Sequence, residues 1–117
     1  MKITDMSDNE IVGMVSPMID EVVNASNNKD WETFCKYQTK EEANDPENRK
    51  DIEAQWASSK LLSSLDTRRE ILGVLRRNDE AVIYWKQTST GTTEEFLASY
   101  HIKQFGQDIK EVGFLIV

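Results

Sequence analysis

The sequence predicts an α+β domain in which three N-terminal helices pack on one face of a curved antiparallel sheet of four to five strands. Two observations carry this. Apolar residues recur at steps of three and four before about residue 60, and the later half is built of β-branched and aromatic runs cut by turn residues. Helices followed by a meander of strands is the segregated order of an α+β arrangement. A third observation limits the domain count. The chain of 117 residues, 38% hydrophobic and 30% charged, has no internal repeat, low-complexity tract or Gly/Ser linker at which to divide it, and is long enough for one core without disulfide or metal staples.

In the first helix Ile11, Val15, Met18, Val22 and Ala25 lie on one face. Ser7-Asp8-Asn9-Glu10 has the capping-box pattern, so the helix is expected to start there. Pro17 removes one helical hydrogen bond and crowds the Gly13 carbonyl, which predicts a kink or a fresh start capped by Ser16. The helix is expected to end among Asn24 to Asn28. Asp30 caps a short second helix carrying Trp31, Phe34 and Cys35. Gln38 to Glu47 is polar and reads as a loop. Asp45-Pro46 opens a third helix, with Ile52, Gln55, Trp56 and Ser59 along one stripe, ending near Lys60.

Four strands follow, at Arg69 to Arg77, Glu80 to Thr88, Glu94 to Phe105 and Ile109 to Val117, with Leu61 to Leu65 as a candidate fifth. The separators Asn78-Asp79, Ser89 to Thr93 and Gly106-Gln107-Asp108 are short enough to join antiparallel neighbours. Residues two apart on a strand share a face. Ala81, Ile83, Trp85 and Gln87 are therefore assigned inward, together with Phe96, Ala98, Tyr100, Ile102 and Gln104. These inward rows contain no Asp or Glu. The opposite rows, with Val82, Tyr84, Leu97, Ser99, His101 and Phe105, are mixed enough to be a surface and apolar enough to support a dimer.

Charge excludes several function classes. Met1 to Ser58 carries six Lys and Arg against thirteen Asp and Glu, whereas Ser59 to Val117 is balanced at eight against eight. The doublets Arg68-Arg69 and Arg76-Arg77 are offset by Glu70, Asp79 and Glu80, so neither a nucleic-acid surface nor an anionic membrane surface is expected. No window approaches a bilayer span. Met1 to Asp8 turns acidic where a secretory signal needs an apolar segment, and one cysteine cannot form an intramolecular disulfide. The expected setting is the cytoplasm. One His and one Cys cannot make a tetrahedral zinc site, and neither a phosphate cradle nor a dinucleotide fingerprint is present, so no metal and no cofactor are expected.

The order of three helices and long antiparallel strands, with Asn28-Lys29-Asp30-Trp31-Glu32-Thr33-Phe34 joining the first two helices, resembles the nuclear transport factor 2-like superfamily. The ending Phe105-Gly106-Gln107-Asp108-Ile109-Lys110-Glu111 is similar to that superfamily's closing strand-turn-strand, although its Gly and Asp stand in a different order. The resemblance covers nearly the whole chain. It implies a cone-shaped α+β barrel, a pocket inside the cone and a homodimer through the outer sheet face, but no single chemistry.

An apolar pocket is accordingly expected between the third helix and the sheet. Its candidate ligand-binding residues are Trp56, Trp85, Tyr100, Ile83, Phe96 and Ile102, suited to a small hydrophobic ligand. His101 has the proton affinity of a general base, yet alternation puts it on the outer face. Cys35 has no histidine nearby in sequence to activate it and reads as an inert thiol. The superfamily's isomerases, cyclases and dehydratases use pocket carboxylates and paired histidines. With one histidine, a paired mechanism is impossible. The expected function is a noncatalytic small-molecule-binding or protein-interaction domain. The alternative is an isomerase, cyclase or dehydratase using a tyrosine and a carboxylate such as Asp66 or Glu53.

Overall fold

Helix α1 runs unbroken from Asp8 to Asn28 in a computed structural model that describes residues 2–117. Its start is the expected capping box. Ser7 Oγ accepts from the Glu10 N–H at 3.1 Å, and Glu10 Oε1 accepts from the Ser7 N–H at 3.0 Å. The face read from the sequence is buried in full, and Ile19, Val23 and Ser26 widen it. Pro17 starts no new helix. The Ser16 hydroxyl, expected as a cap, instead donates back to the Val12 carbonyl at 2.6 Å within the same helix. The helix closes at Lys29, whose backbone is left-handed at φ 54° and ψ 41°.

Asp30 caps α2 (Trp31–Phe34), whose Trp31 and Phe34 are both buried. The segment expected to be a loop contains a further single turn, α3 (Lys40–Ala43), because Thr39 Oγ1 accepts from the Glu42 N–H at 3.2 Å. Helix α4 (Pro46–Ser58) is the third helix read from the sequence, capped by Asp45 with Pro46 in its first turn. Leu61–Ser63 forms a 3-10 turn, not the candidate fifth strand.

The sheet has four antiparallel strands in chain order, β1 (Leu65–Arg77), β2 (Glu80–Ser89), β3 (Phe96–Phe105) and β4 (Asp108–Ile116). It curves but does not close, since β1 and β4 each pair on one side only. Strand β1 begins four positions before the expected Arg69, across a register shift between Leu65 and Arg69. Asn78 (φ 53°) and Gly106 (φ 64°) supply the left-handed backbone that opens the two tight hairpin turns.

Helix α1 lies on the concave face, tied to β1 by two arginines from the basic doublets. Arg69 reaches Asp20 at 2.5 Å and the Ser16 carbonyl at 3.1 Å, and Arg76 reaches Asp8 at 2.7 Å and the Met6 carbonyl at 2.8 Å. Of the nine residues assigned inward, Ala81, Ile83, Trp85, Gln87, Ala98, Tyr100 and Ile102 are fully buried, while Phe96 and Gln104, towards the two ends of β3, are half-buried. Gln87 is kept there by complete satisfaction: its carbonyl accepts from Trp85 Nε1 at 2.9 Å, and its amide donates to the Asp66 and Thr88 carbonyls at 2.9 and 2.8 Å. On the opposite face Val82 and Ser99 are more covered than an open surface requires. No helix is long and apolar enough to cross a membrane.

Candidate functional site

Strand β4 decides what faces the space beneath α4. Its pairing with β3 slips between His101 and Ile102, so that Glu111 opposes Ile102 while Gly113 opposes His101. Val112 is the extra residue of this bulge. Strict alternation puts Glu111 and Phe114 on opposite faces; the bulge turns both inward. The inward surface therefore does contain a carboxylate, on a strand whose faces the sequence reading left unassigned, and Glu111 is 5% exposed.

Phe114 is the centre of an aromatic chain. Its ring stacks on Trp85 with centroids 6.0 Å apart, meets Tyr100 edge-on at 6.2 Å and lies 6.4 Å from Phe34. Phe34 continues the chain to Trp56, edge-on at 5.3 Å. Trp56 is anchored in turn by its indole N–H, which donates to Ser26 Oγ at 3.2 Å.

Between α4 and β4 runs a groove in two adjoining compartments of about 300 and 320 Å³, which share Phe34, Ile52, Gln55, Phe114 and Leu115. One compartment ends at Trp56, Leu61 and Leu62. The other ends at Gln38, Glu42, Asn48 and Glu111. The groove thus has an apolar end and a polar end joined by an aromatic floor. A larger hollow of about 620 Å³ lies beside the two hairpin turns, but its described lining holds neither an aromatic nor a buried ionisable side chain.

Electrostatics single out the polar end. Burial pushes the Glu111 carboxyl up from 4.5 to about 7, with the Glu42 charge adding to the rise and the Gln38 side chain opposing it. Glu111 Oε1 and the Tyr100 hydroxyl are both buried, and neither has a hydrogen-bond partner among the described residues. The two are diagonal neighbours on the inward face, and Tyr100 is raised by burial first and the Glu111 charge second. Strand β4 is held to the helical layer here by the Glu111 N–H, which donates to the Tyr37 carbonyl at 2.7 Å. The Tyr37 hydroxyl bonds Glu21, which also pairs with Lys36.

Of the six residues expected in the pocket, Trp56 lines the groove, while Trp85 and Tyr100 reach it through Phe114. Ile83 and Ile102 are buried in the core behind them, and Phe96 is half-buried at the start of β3. His101 is on the outer side, where its Nε2 meets Ser99 Oγ at 3.1 Å. Cys35 is half-buried with its thiol pushed up by burial and then by Glu32, so it is not activated. Asp66 accepts from the Thr88 hydroxyl at 2.6 Å, and Glu53 pairs with Arg49 on the exposed side of α4. Neither lines the groove. Glu111, Phe114, Tyr37 and Gln38 shape its polar end and floor without having been singled out together by sequence. Among the described residues no group of His, Cys, Asp and Glu converges as a metal site requires.

Compared with protein-family models, curated proteins and solved structures, the chain matches none.

Proposed function

We propose that this chain is a noncatalytic small-molecule-binding or protein-interaction domain of the nuclear transport factor 2-like type, acting in the cytoplasm as a homodimer. Its pocket is the groove between α4 and β4. The observation that carries the reading is the pairing of an aromatic floor, Phe34 and Phe114, with a buried carboxylate oxygen that has no hydrogen-bond partner among the described residues. Apolar walls with few placed polar groups are the usual make-up of a small-molecule site. A second copy is supported on the outer face by Leu75, Leu97 and Val117, which are exposed on the convex side.

Enzymatic use of the groove as an isomerase, cyclase or dehydratase is the second reading. One observation favours it: a carboxyl that titrates near neutrality is suited to general base work. Against it, Glu111 and Tyr100 do not hydrogen-bond to one another, as an assembled acid and base with a shared proton would.

Native mass spectrometry of the purified chain, with a thermal-shift screen of flat hydrophobic compounds, tests the first reading. The expected result is a dimer mass and a stabilising compound whose effect is lost when Phe114 is replaced by Ala but kept in Phe114→Leu. A monomer that responds to no compound overturns it.

A further inference from the structure

Resting on the ligand-groove reading above, we infer that the occupant is an amine, with a flat apolar body against Phe34 and Phe114 and one protonated nitrogen bound by the Glu111 carboxylate.

The charge of the polar end points to this class. Glu42 and Glu111 line it beside Gln38 and Asn48, and none of its described lining residues is Lys, Arg or His. Of the cations nearest in sequence, Lys36 pairs with Glu21 at 2.8 Å, Arg49 pairs with Glu53 at 3.4 Å and lies over the Trp31 ring, Lys40 and Lys110 line a separate hollow with Asp108, and Lys50 is exposed and outside the groove lining. Cys35, Tyr37 and Tyr100, the other titratable groups packed around Glu111, are neutral near pH 7, since each is raised from its ordinary value. An anionic ligand therefore meets two carboxylates and no counter-charge.

Hydrogen-bonding capacity leads to the same class. The Gln38 carbonyl is already used, accepting from the Asn48 amide at 2.9 Å, which leaves the Gln38 NH₂ for one Glu111 oxygen. Glu111 Oε1 remains without a donor among the described residues. An ionised carboxylate only accepts, and a buried one with an open oxygen is stabilised most by a charged donor. The faces of Phe34 and Phe114 add attraction for a cation at the same place. A neutral alcohol supplies a donor without the charge.

Because burial holds the Glu111 carboxyl up at about 7 in the free protein, amine binding is linked to pH. Only the ionised form pairs with an ammonium. Affinity should therefore rise about tenfold from about pH 6 to about pH 8, while an alcohol shows no such gain.

The test titrates the whole wild-type chain with naphthylmethylamine, naphthalenemethanol and naphthoate, followed by backbone amide shifts around Phe34 and Phe114. The amine should bind at least about tenfold tighter than the alcohol at the higher pH, show the pH gain, and lose its advantage over the alcohol in Glu111→Gln. The pH series on the unaltered chain needs no variant. Equal binding of amine and alcohol, an amine preference that survives Glu111→Gln, or tightest binding of naphthoate overturns the amine assignment while leaving the groove as a ligand site. If none of the three shifts the groove residues, the groove reading fails and this inference with it.

Discussion

Trp56 and Ser26 share a buried hydrogen bond across 30 positions of sequence, the indole N–H donating to a hydroxyl that itself donates to the Leu62 carbonyl at 2.5 Å. One oxygen thereby joins α1, α4 and the turn that leads into the sheet. Ser26 is on the buried face of a helix, where a serine is tolerated because both of its roles are filled.

Replacing Ser26 by Ala should therefore cost about 2 to 3 kcal/mol, since it strands an indole N–H and a carbonyl out of water. Urea denaturation would show the midpoint falling with an unchanged slope. A loss below about 0.5 kcal/mol would mean that water replaces the hydroxyl and that this corner is not sealed.

Glu111 sets a pH dependence of stability with a definite sign. Its folded value of about 7 lies above the unfolded 4.5, so between these values the native state holds the proton that the unfolded state has lost. Stability from this group is full below about 4.5, falls as pH rises to about 7, and is flat above that. The loss should be about 2 to 4 kcal/mol. Glu111→Gln should abolish it, so that the variant overtakes wild type at alkaline pH. A wild-type minus variant difference that does not change across this range would contradict the buried placement of the carboxyl.

Lys29 holds a left-handed backbone at the end of α1. Glycine, which has no Cβ, adopts that conformation without strain, so Lys29→Gly should stabilise the domain by about 0.5 to 1 kcal/mol. Thermal unfolding would register this as a small rise in Tm. Destabilisation would indicate that the lysine side chain contributes more than its exposure implies.

Leu97 is 43% exposed on the outer face, near the start of β3. On the proposed homodimer, Leu97→Lys should leave the fold intact and halve the mass seen by light scattering, because an isologous interface carries the added charge twice. Wild-type chain that is already monomeric at tens of micromolar would dispose of the dimer.

How far the sequence could be read depended on whether a local rule or a distant contact set the outcome. The Ser7–Glu10 capping box, the Asp45-Pro46 helix start and the inward rows of β2 and β3 are products of local chemistry and regular alternation, and each was legible. The fresh start at Pro17 was over-read, since a helix whose apolar face is buried on both sides of a proline is held together by that burial. The turn at Lys40–Ala43 was hidden in a polar stretch because it buries no side chain. Glu111 was the costliest omission: a bulge at Val112 reverses the parity of everything before it, and nothing in the residue types of β4 announces the slip. The same slip kept Phe114, the aromatic hub, from being connected to a carboxylate three positions away.

The unclosed sheet has one further effect, on how the folded chain meets its neighbours in a crowded solution. The Tyr37–Gln38 segment covers part of the β4 border, where Gln38 bridges Glu111. The 13-residue β1, in contrast, has no strand on its outer side. Such a border is a template for runaway strand addition between molecules. Here it carries the exposed charges of Arg68, Glu70 and Arg77, and two breaks in register, at Leu65/Arg69 and Ile71/Gly73, twist it out of line with an incoming strand. Each basic doublet is thus divided in its work, one arginine fastening α1 to the sheet and the other leaving charge on a border where an incoming strand would have to bury it.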